Sequence, residues 1–358
     1  MSAHASSSSR RDRQSLHFIV RSGLAGGFAG CVAKTVVAPL DRVKILFQAS
    51  NPEFHKYAGT WSGAFRAGAQ IYRDSGVLGL FQGHSATLLR IFPYAAIKFM
   101  AYDQIEHILM PTPEKQTNVR RFVAGALSGV TSVLFTYPLE LIRVRMAFDT
   151  RNGSGPRPTF LHAAYKIYHE APVPVSPSST STVSSKSTLA SSSTSSTVSP
   201  TTSTTSKALF TRFPILKFYR GFSVSLAGMI PYAGTSFLAW GYLRSYFIPP
   251  RPTSSSSSTS SLEPQRATPL QDLTFGALSG LLAQTASYPF EVVRRRMQVG
   301  GLTHPDRWLR WGETVRMIWT TRGFKGFYVG LSIGYLKVVP MTAVSFMVWQ
   351  WGKRVLGV

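Results

Sequence analysis

The sequence predicts an all-α membrane protein with six transmembrane helices, arranged as three helix–loop–helix repeats related by pseudo-threefold symmetry around a central cavity. A hexamer pattern predicts the repeats, because a proline is followed three times by a carboxylate two residues later and a base five residues later. Each copy ends an apolar, glycine-bearing stretch of roughly membrane-spanning length. The copies are Pro39-Leu40-Asp41-Arg42-Val43-Lys44, Pro138-Leu139-Glu140-Leu141-Ile142-Arg143 and Pro289-Phe290-Glu291-Val292-Val293-Arg294.

The first helix of each repeat carries two glycines, thirteen and nine residues before its proline. This small-xxx-small spacing lets helix backbones approach closely in lipid, where apolar side chains alone give little drive to associate. We therefore expect these glycines at contacts between helices. The pairs are Gly26 and Gly30, Gly125 and Gly129, and Gly276 and Gly280.

The second helix of each repeat is marked by another proline in an apolar run, preceded by an aromatic-x-Gly turn. A polar connection between the two prolines completes the unit, so three units give six spans. The turns end at Gly83, Gly221 and Gly330, and the prolines are Pro93, Pro231 and Pro340.

The spacing of these prolines locates two insertions. The two prolines of a unit lie 54 and 51 residues apart in the first and third repeats but 93 apart in the second, which contains a Ser/Thr-rich tract. Such tracts cannot bury a core and are predicted to be disordered. The expected organisation is a disordered basic tail 1–18, repeat 1 at 19–112, repeat 2 at 118–248 with an insertion at about 172–209, a disordered linker 249–268 and repeat 3 at 269–358.

Composition and motifs exclude several classes of protein. The formal charge of +24 suggests nucleic-acid binding, but the bases recur inside and beside apolar helices and form no single basic patch. One cysteine, Cys31, excludes an internal disulfide framework and zinc-finger spacing. No dinucleotide-binding, P-loop, HExxH or nucleophile-elbow pattern occurs, and His84 and His107 are isolated. We therefore expect no enzyme, cofactor, metal site or nucleic-acid partner.

The three hexamers predict a ring of charges. A carboxylate and a base three residues apart lie on one face of a helix, and proline removes a backbone hydrogen bond and bends the helix. Three bent ends that converge bring six charges together. The residues are Asp41 and Lys44, Glu140 and Arg143, and Glu291 and Arg294. Static structural ion pairs are the alternative interpretation of this ring.

Together these motifs resemble the signature of the mitochondrial carrier family, Pro-x-acid-x-x-base-x-base followed by Gly-x4-aromatic-base-Gly, over residues 19–356 apart from the two insertions. The chain departs from the signature at Leu46, Gln82, Pro214 and Val329. The resemblance implies a monomeric, multi-pass protein of the mitochondrial inner membrane in contact with its lipids, including cardiolipin.

The same resemblance assigns roles to the charged residues. It implies that a matrix-side gate closes through Asp41 with Arg143, Glu140 with Arg294 and Glu291 with Lys44, and that Gln48 and Gln298 brace these pairs. On the cytoplasmic side, an aromatic-acid-x-x-base pattern is incomplete, and Asp103 with Arg244 is the ion pair that it allows. The cytoplasmic gate is therefore expected to be weak.

Substrate contacts in the family lie just before the second proline of each repeat, which indicates Arg90, Gly228, Met229 and Lys337 in this chain. Lys34, seven residues before Asp41, shares its helix face. Bases attract phosphates, and a glycine beside methionine leaves room for a planar base. The segments 90–99 and 228–237 are similar to fungal mitochondrial coenzyme A carriers and their Graves-disease-type animal relatives.

The expected function is therefore transport of coenzyme A by alternating access. ADP, ATP or adenosine bisphosphate fit the same pattern and stay open as substrates. A channel or a non-transporting membrane scaffold is the alternative from another class, since each can use six spans.

Overall fold

The computed structural model describes residues 16–111, 117–150, 159–170, 213–247, 269–303 and 309–357, and throughout these ranges the regular structure is helical. The predictions of a disordered tail, insertion and linker fall almost wholly outside the described residues. The α-helices are α1 Leu16–Gln48, α2 Trp61–Leu80, α3 His84–Leu109, α4 Asn118–Phe148, α5 Phe160–Tyr168, α6 Phe222–Phe247, α7 Pro269–Thr303, α8 Trp311–Arg322, α9 Leu331–Leu336 and α10 Val338–Leu356. Short 3₁₀ helices span Pro52–Tyr57, Pro214–Tyr219 and Phe324–Tyr328.

The same kinds of element occur in each of three units. Each unit contains a long helix with a proline near its end, a connecting helix, a 3₁₀ turn and a second long helix. The long second helix is α3 in the first unit, α6 in the second and α9 with α10 in the third, where the helix is interrupted at Lys337. In the first unit the 3₁₀ turn precedes the connecting helix α2.

The long helices pack in a closed ring. The second helix of each unit lies against the first helix of the next, so that α3 packs on α4, α6 on α7, and α10 returns to α1. The helices α1, α4 and α7 also contact one another. This arrangement brings the three hexamers to one end of the bundle, which is called the matrix end below.

Glycine is required at the turns that precede the second helices. Gly83, Gly221 and Gly330 adopt φ angles of +83°, +77° and +86°, a region that L side chains rarely adopt. A Cβ on Gly83 would also lie 2.8 Å from the carbonyl oxygen of Arg143 on α4. The recurrent aromatic-x-Gly motif thus allows each turn to approach the next first helix.

The paired glycines of the first helices do not behave as expected. An added Cβ would meet no atom within 4 Å at Gly26, Gly30, Gly125 or Gly280. Gly129 and Gly276 face side chains of α6, namely Met229 and Trp240. In this conformation most of the paired glycines therefore lie next to open space, and the expectation of close backbone contact at them is wrong.

Three segments in the described ranges are long and apolar enough to cross a membrane, namely Val119–Phe148, Pro214–Phe247 and Phe324–Val355. They contain α4, α6 and the α9–α10 pair. The helices α1, α3 and α7 are of similar length, but charged residues such as Lys34 and Arg90 interrupt their apolar stretches. Length and composition alone therefore identify three of the six expected spans.

Candidate functional site

The three hexamers meet in a network of ion pairs at the matrix end. Nη2 of Arg143 lies 3.0 Å from Oδ2 of Asp41, and Nζ of Lys44 lies 2.9 Å from Oε1 of Glu291. Arg294 contacts the third carboxylate, that of Glu140. Each pair joins two different helices of the ring. The structure thus brings together all six charged residues singled out in the hexamers, in the expected pairing.

Two further bases bind the ring from the second helices. Nζ of Lys337 lies 2.8 Å from Oδ1 of Asp41, and Nη1 of Arg90 lies 3.3 Å from Oε2 of Glu140. The sequence places these residues in the cavity as substrate ligands, and the structure shows them already bound to carboxylates. The two positions match each other by repeat symmetry, so the two contacts are equivalent.

The third predicted cation, Lys34, lies on α1 one level farther from the ring. Its ammonium donates to the sulfur of Met341 on α10 at 3.6 Å, which is a weak hydrogen bond. It lies within electrostatic reach of Asp41, Lys337, Arg143 and Arg90. Lys34 is therefore the base of this group that makes no ion pair in the described part of the chain.

Gly228 and Met229, for which the sequence predicts a flat apolar surface, both lie on α6. A Cβ on Gly228 would come within 2.9 Å of the Cβ of Phe290 on α7, so the glycine gives room for helix packing. The methyl group of Met229 lies 3.7 Å from the position of a Cβ on Gly129 of α4. Both residues are half-buried, and only Met229 directs a side chain that a ligand can contact.

The two glutamines expected to brace the ring are both buried at its edge. The amide of Gln298 accepts a hydrogen bond from Arg295 at 2.9 Å and donates to the hydroxyl of Tyr137 at 3.1 Å. Gln48 lies beside Tyr288, the residue equivalent to Tyr137, and packs against Gly330. Gln298 therefore acts through Arg295, without contacting the Glu140–Arg294 pair itself.

The two residues of the expected cytoplasmic pair, Asp103 and Arg244, are both exposed. Among the described residues no ion pair joins them. The conformation is therefore one in which the matrix end is closed by ion pairs and the pair at the opposite end is not formed.

Sequence reasoning missed two arginines next to hexamer positions. Nη1 of Arg295 lies 3.0 Å from Oε1 of Glu140, so that carboxylate binds three bases. Arg42 is 2% exposed and donates to three backbone carbonyls, at 3.2 Å to Ala147, at 3.1 Å to Asp149, and to Gly79. Arg42 lies within the first hexamer and Arg295 directly follows the third, but the hexamer pattern does not indicate which way these two side chains point.

A second charged cluster lies in the matrix loop of the second unit. The carboxylate of Glu170 binds Nη1 of Arg145 at 3.1 Å and Nη1 of Arg220 at 3.4 Å. The cluster joins the end of α4, the second residue after α5 and the turn before α6.

These features define the class of protein. A ring of long apolar helices, closed at one end by inter-helix ion pairs and bearing cations above that closure, is typical of a helical membrane transporter.

Comparison with known proteins identifies the family. The family described as "Mitochondrial carrier protein" matches residues 15–112, 114–173 and 265–358. An uncharacterized mitochondrial carrier of Schizosaccharomyces pombe is 43% identical over 347 residues, covering 97% of both chains. "Mitochondrial carrier protein LEU5" of Saccharomyces cerevisiae is 42% identical over 361 residues, covering 97% of this chain and 93% of its own. Human "Solute carrier family 25 member 16" is 35% identical over 341 residues, covering 94% and 88%. The chain belongs to the mitochondrial carrier family, whose members are transporters of mitochondrial membranes.

Proposed function

We propose that this chain carries coenzyme A across the mitochondrial inner membrane by alternating access of one central site. The observation that carries the proposal is the matched attachment of Lys337 to Asp41 and of Arg90 to Glu140. Phosphate oxygens are strong acceptors for both bases, so a phosphorylated substrate competes with the two carboxylates. Substrate binding and closure of the matrix end thereby depend on the same two side chains.

The competition gives a physical path for transport. A phosphate group that takes Lys337 and Arg90 leaves Asp41 and Glu140 with fewer partners, which weakens the ring that holds α1, α4 and α7 together. A ligand shifts a conformational equilibrium only by its difference in affinity between the states. Moving an equilibrium from 1:99 to 99:1 takes about 5.5 kcal/mol of such difference. Several phosphate contacts in the intermediate state are of sufficient magnitude, since each charge-assisted hydrogen bond contributes about 1.5–3 kcal/mol.

The membrane arrangement follows from the same proposal. All six long helices cross the membrane as three repeats, at 19–112, 118–248 and 269–358, in a monomer surrounded by inner-membrane lipids including cardiolipin. Charged residues within a membrane are tolerated where they face the interior of a bundle and pair there. Lys44 and Arg90 satisfy this condition on α1 and α3, because each forms an ion pair with a carboxylate of another helix.

Coenzyme A is favoured among adenine nucleotides by the number of cations in the site. Its diphosphate and 3′-phosphate offer separate groups to Arg90, Lys337 and the unpaired Lys34. Met229 supplies a polarizable surface for the adenine ring. Gly228 is assigned a helix-packing role within the proposed site, because it faces Phe290. Asp103 and Arg244 are proposed to pair only when the cytoplasmic side closes.

The experiment that tests the substrate is thermal unfolding of the purified protein with coenzyme A, dephospho-coenzyme A, ADP, ATP and adenosine 3′,5′-bisphosphate. A ligand that binds the folded state raises its apparent stability by mass action. The largest shift is expected for coenzyme A, with a smaller one for dephospho-coenzyme A. A larger shift with ADP or ATP would assign the site to those nucleotides instead.

A second experiment separates a carrier from a channel or scaffold. The protein is reconstituted into liposomes loaded with coenzyme A, and uptake of labelled coenzyme A is measured against external concentration. A carrier gives saturable uptake that internal substrate accelerates. Uptake that rises linearly with external concentration and does not depend on internal substrate would contradict alternating access.

A further inference from the structure

The matrix loops of the second and third units differ in charge at equivalent positions. In the second unit Arg145, seven residues after Pro138, binds Glu170, the second residue beyond the last turn of α5. In the third unit Arg296 stands seven residues after Pro289, but the end of the connecting helix α8 is Arg322. The position that holds a carboxylate in one repeat therefore holds a guanidinium in the other.

Arg296 forms no ion pair with any of the described residues. It is 8% exposed, and its Nε atom is buried without a hydrogen-bond partner in the described part of the chain. The charge of Arg322 acts on Arg296 and repels it. A buried charge without a partner is costly, usually by several kcal/mol. The third unit thus keeps an uncompensated cation where the second unit has a complete ion-pair cluster.

Arg322 is held in place from the first unit. Its Nε atom lies 2.9 Å from Nε2 of His55, and its Nη2 donates to the carbonyl oxygen of His55 at 3.3 Å. Burial, together with the charges of Arg322 and Arg296, lowers the pKa of His55. At neutral pH His55 is therefore uncharged and accepts a hydrogen bond from Arg322, whose charge acts on the buried Arg296.

Among the described residues, the carboxylates near this cluster do not neutralise it. Glu313 lies at the other end of α8, where it accepts a hydrogen bond from the backbone of Arg310. Glu53 precedes His55 by two residues, is exposed, and forms no ion pair among the described residues. The cluster faces the surface through Arg322 and His55 and is closed on its inner side by Arg296.

From this arrangement we propose that Arg296 and Arg322 form a binding site for a phosphate group at the matrix end, outside the transport cavity. The bound phosphate occupies the place that the Glu170 carboxylate has in the second unit, and it links α7 and α8 to the 3₁₀ helix Pro52–Tyr57 through His55. Guanidinium groups bind phosphate oxygens in paired hydrogen bonds, which matches two arginines around one anion. The site stabilises the matrix-closed conformation because it joins the third unit to the first.

The test is thermal unfolding of the full-length protein in lipid-free detergent, titrated with inorganic phosphate against chloride at equal ionic strength. We expect a saturable rise in the unfolding midpoint with phosphate but not with chloride. Arg322→Gln should weaken the phosphate response at least tenfold. Arg316→Gln, an exposed arginine on the same helix, is the matched control and should respond like the wild type.

Two further variants make the result specific. Arg90→Gln removes a base of the proposed transport cavity and should keep its phosphate response, so failure of the transport proposal and failure of this one are distinguishable. Arg322→Glu places an acid at the position equivalent to Glu170 and should abolish the response.

A parallel titration with cardiolipin in phosphate-free buffer tests the source of the phosphate group. A shift in the unfolding midpoint with cardiolipin alone, lost in Arg322→Gln, assigns the site to a lipid phosphate. No shift with either ligand, or an equal shift in Arg322→Gln, would overturn the proposal.

Discussion

Lys337 and Asp41 form an ion pair of 2.8 Å across the α10–α1 contact, while Arg143 binds the other oxygen of the same carboxylate at 3.0 Å. Asp41 is thus shared between a residue of the matrix-end ring and a residue of the proposed substrate site. The arrangement around Glu140 is equivalent, with Arg90 and Arg294 on one oxygen and Arg295 on the other. In the proposed function, substrate phosphates therefore compete directly with the charges that close the protein.

The first prediction concerns these shared bases. Lys337→Gln removes a phosphate ligand while keeping a polar side chain of similar length. We expect at least a tenfold loss of counter-exchange in liposomes, because one charge-assisted contact contributes about 1.5–3 kcal/mol. The thermal shift with coenzyme A should fall in parallel. Arg354→Gln, an exposed position on the same helix, is the control, and a folded Lys337→Gln protein that transports like it would contradict the proposed site.

The second prediction concerns the ring. Lys44 and Glu291 form an ion pair of 2.9 Å, and neither has another ion-pair partner in the described residues. Either Lys44→Glu or Glu291→Lys should reduce transport more than tenfold, because two like charges then face each other where the ring closes. The double variant restores the pair in reverse order and should recover part of the rate.

Charge reversal tests the gate best at Lys44 and Glu291, because neither residue has a further ion-pair partner among the described residues. Reversal at Asp41 and Arg143 should recover less activity, because Lys337 remains beside the new base. Equal rates for the single and double variants at Lys44 and Glu291 would contradict a gating role for this pair. Counter-exchange in liposomes measures both sets.

The ring of charges could be predicted from the sequence because three copies of one hexamer share a helix face and meet at one end of a threefold bundle. The pairing within the ring is what the resemblance to the carrier family implies. What the sequence cannot fix is the distance between that ring and the second helices. The attachments of Lys337 and Arg90 depend on how far α10 and α3 approach the ring, which packing decides. The same limit applies to Gly228, since its orientation toward Phe290 depends on the rotation of α6 about its own axis.

Arg42 shows the limit of a spacing argument at a single position. It follows Asp41 directly, so helical geometry turns it away from the ring by about 100°. It lies instead against the ends of α2 and α4, where three carbonyl oxygens accept from its guanidinium. Every residue has a backbone carbonyl group, so no sequence motif identifies the ones that accept hydrogen bonds from Arg42.

The third prediction follows from this contact. Arg42→Lys keeps the charge but cannot reach three carbonyls with one ammonium group. We expect the free energy of unfolding to fall by about 2–4 kcal/mol, because buried acceptors lose charge-assisted hydrogen bonds. Thermal unfolding in detergent measures this as a lower midpoint. Arg66→Lys, an exposed arginine on α2, is the control, and equal midpoints for the two variants would contradict a structural role for Arg42.

The fourth prediction concerns the Ser/Thr-rich insertion, which begins directly after the Glu170 cluster. The residues on the two sides of the insertion contact each other directly. Nζ of Lys217 donates to the carbonyl of Tyr168 at 2.7 Å, and Arg220 binds Glu170 at 3.4 Å. Replacing residues 171–212 with a short glycine-serine linker should therefore leave folding intact, because these two contacts hold the residues on either side of the deleted segment together.

The deletion variant should unfold at a midpoint close to that of the full chain and exchange coenzyme A within about twofold of its rate, since loop length itself contributes little to stability. Lys217→Met in the deletion background serves as the comparison, because it removes a flank contact and should lower the midpoint. A deletion variant that folds but no longer exchanges substrate would show that the tract takes part in transport, and one that fails to fold would show that the flank contacts are insufficient. Glu170→Gln in the full chain distinguishes these outcomes, because it breaks the flank cluster while the tract is retained.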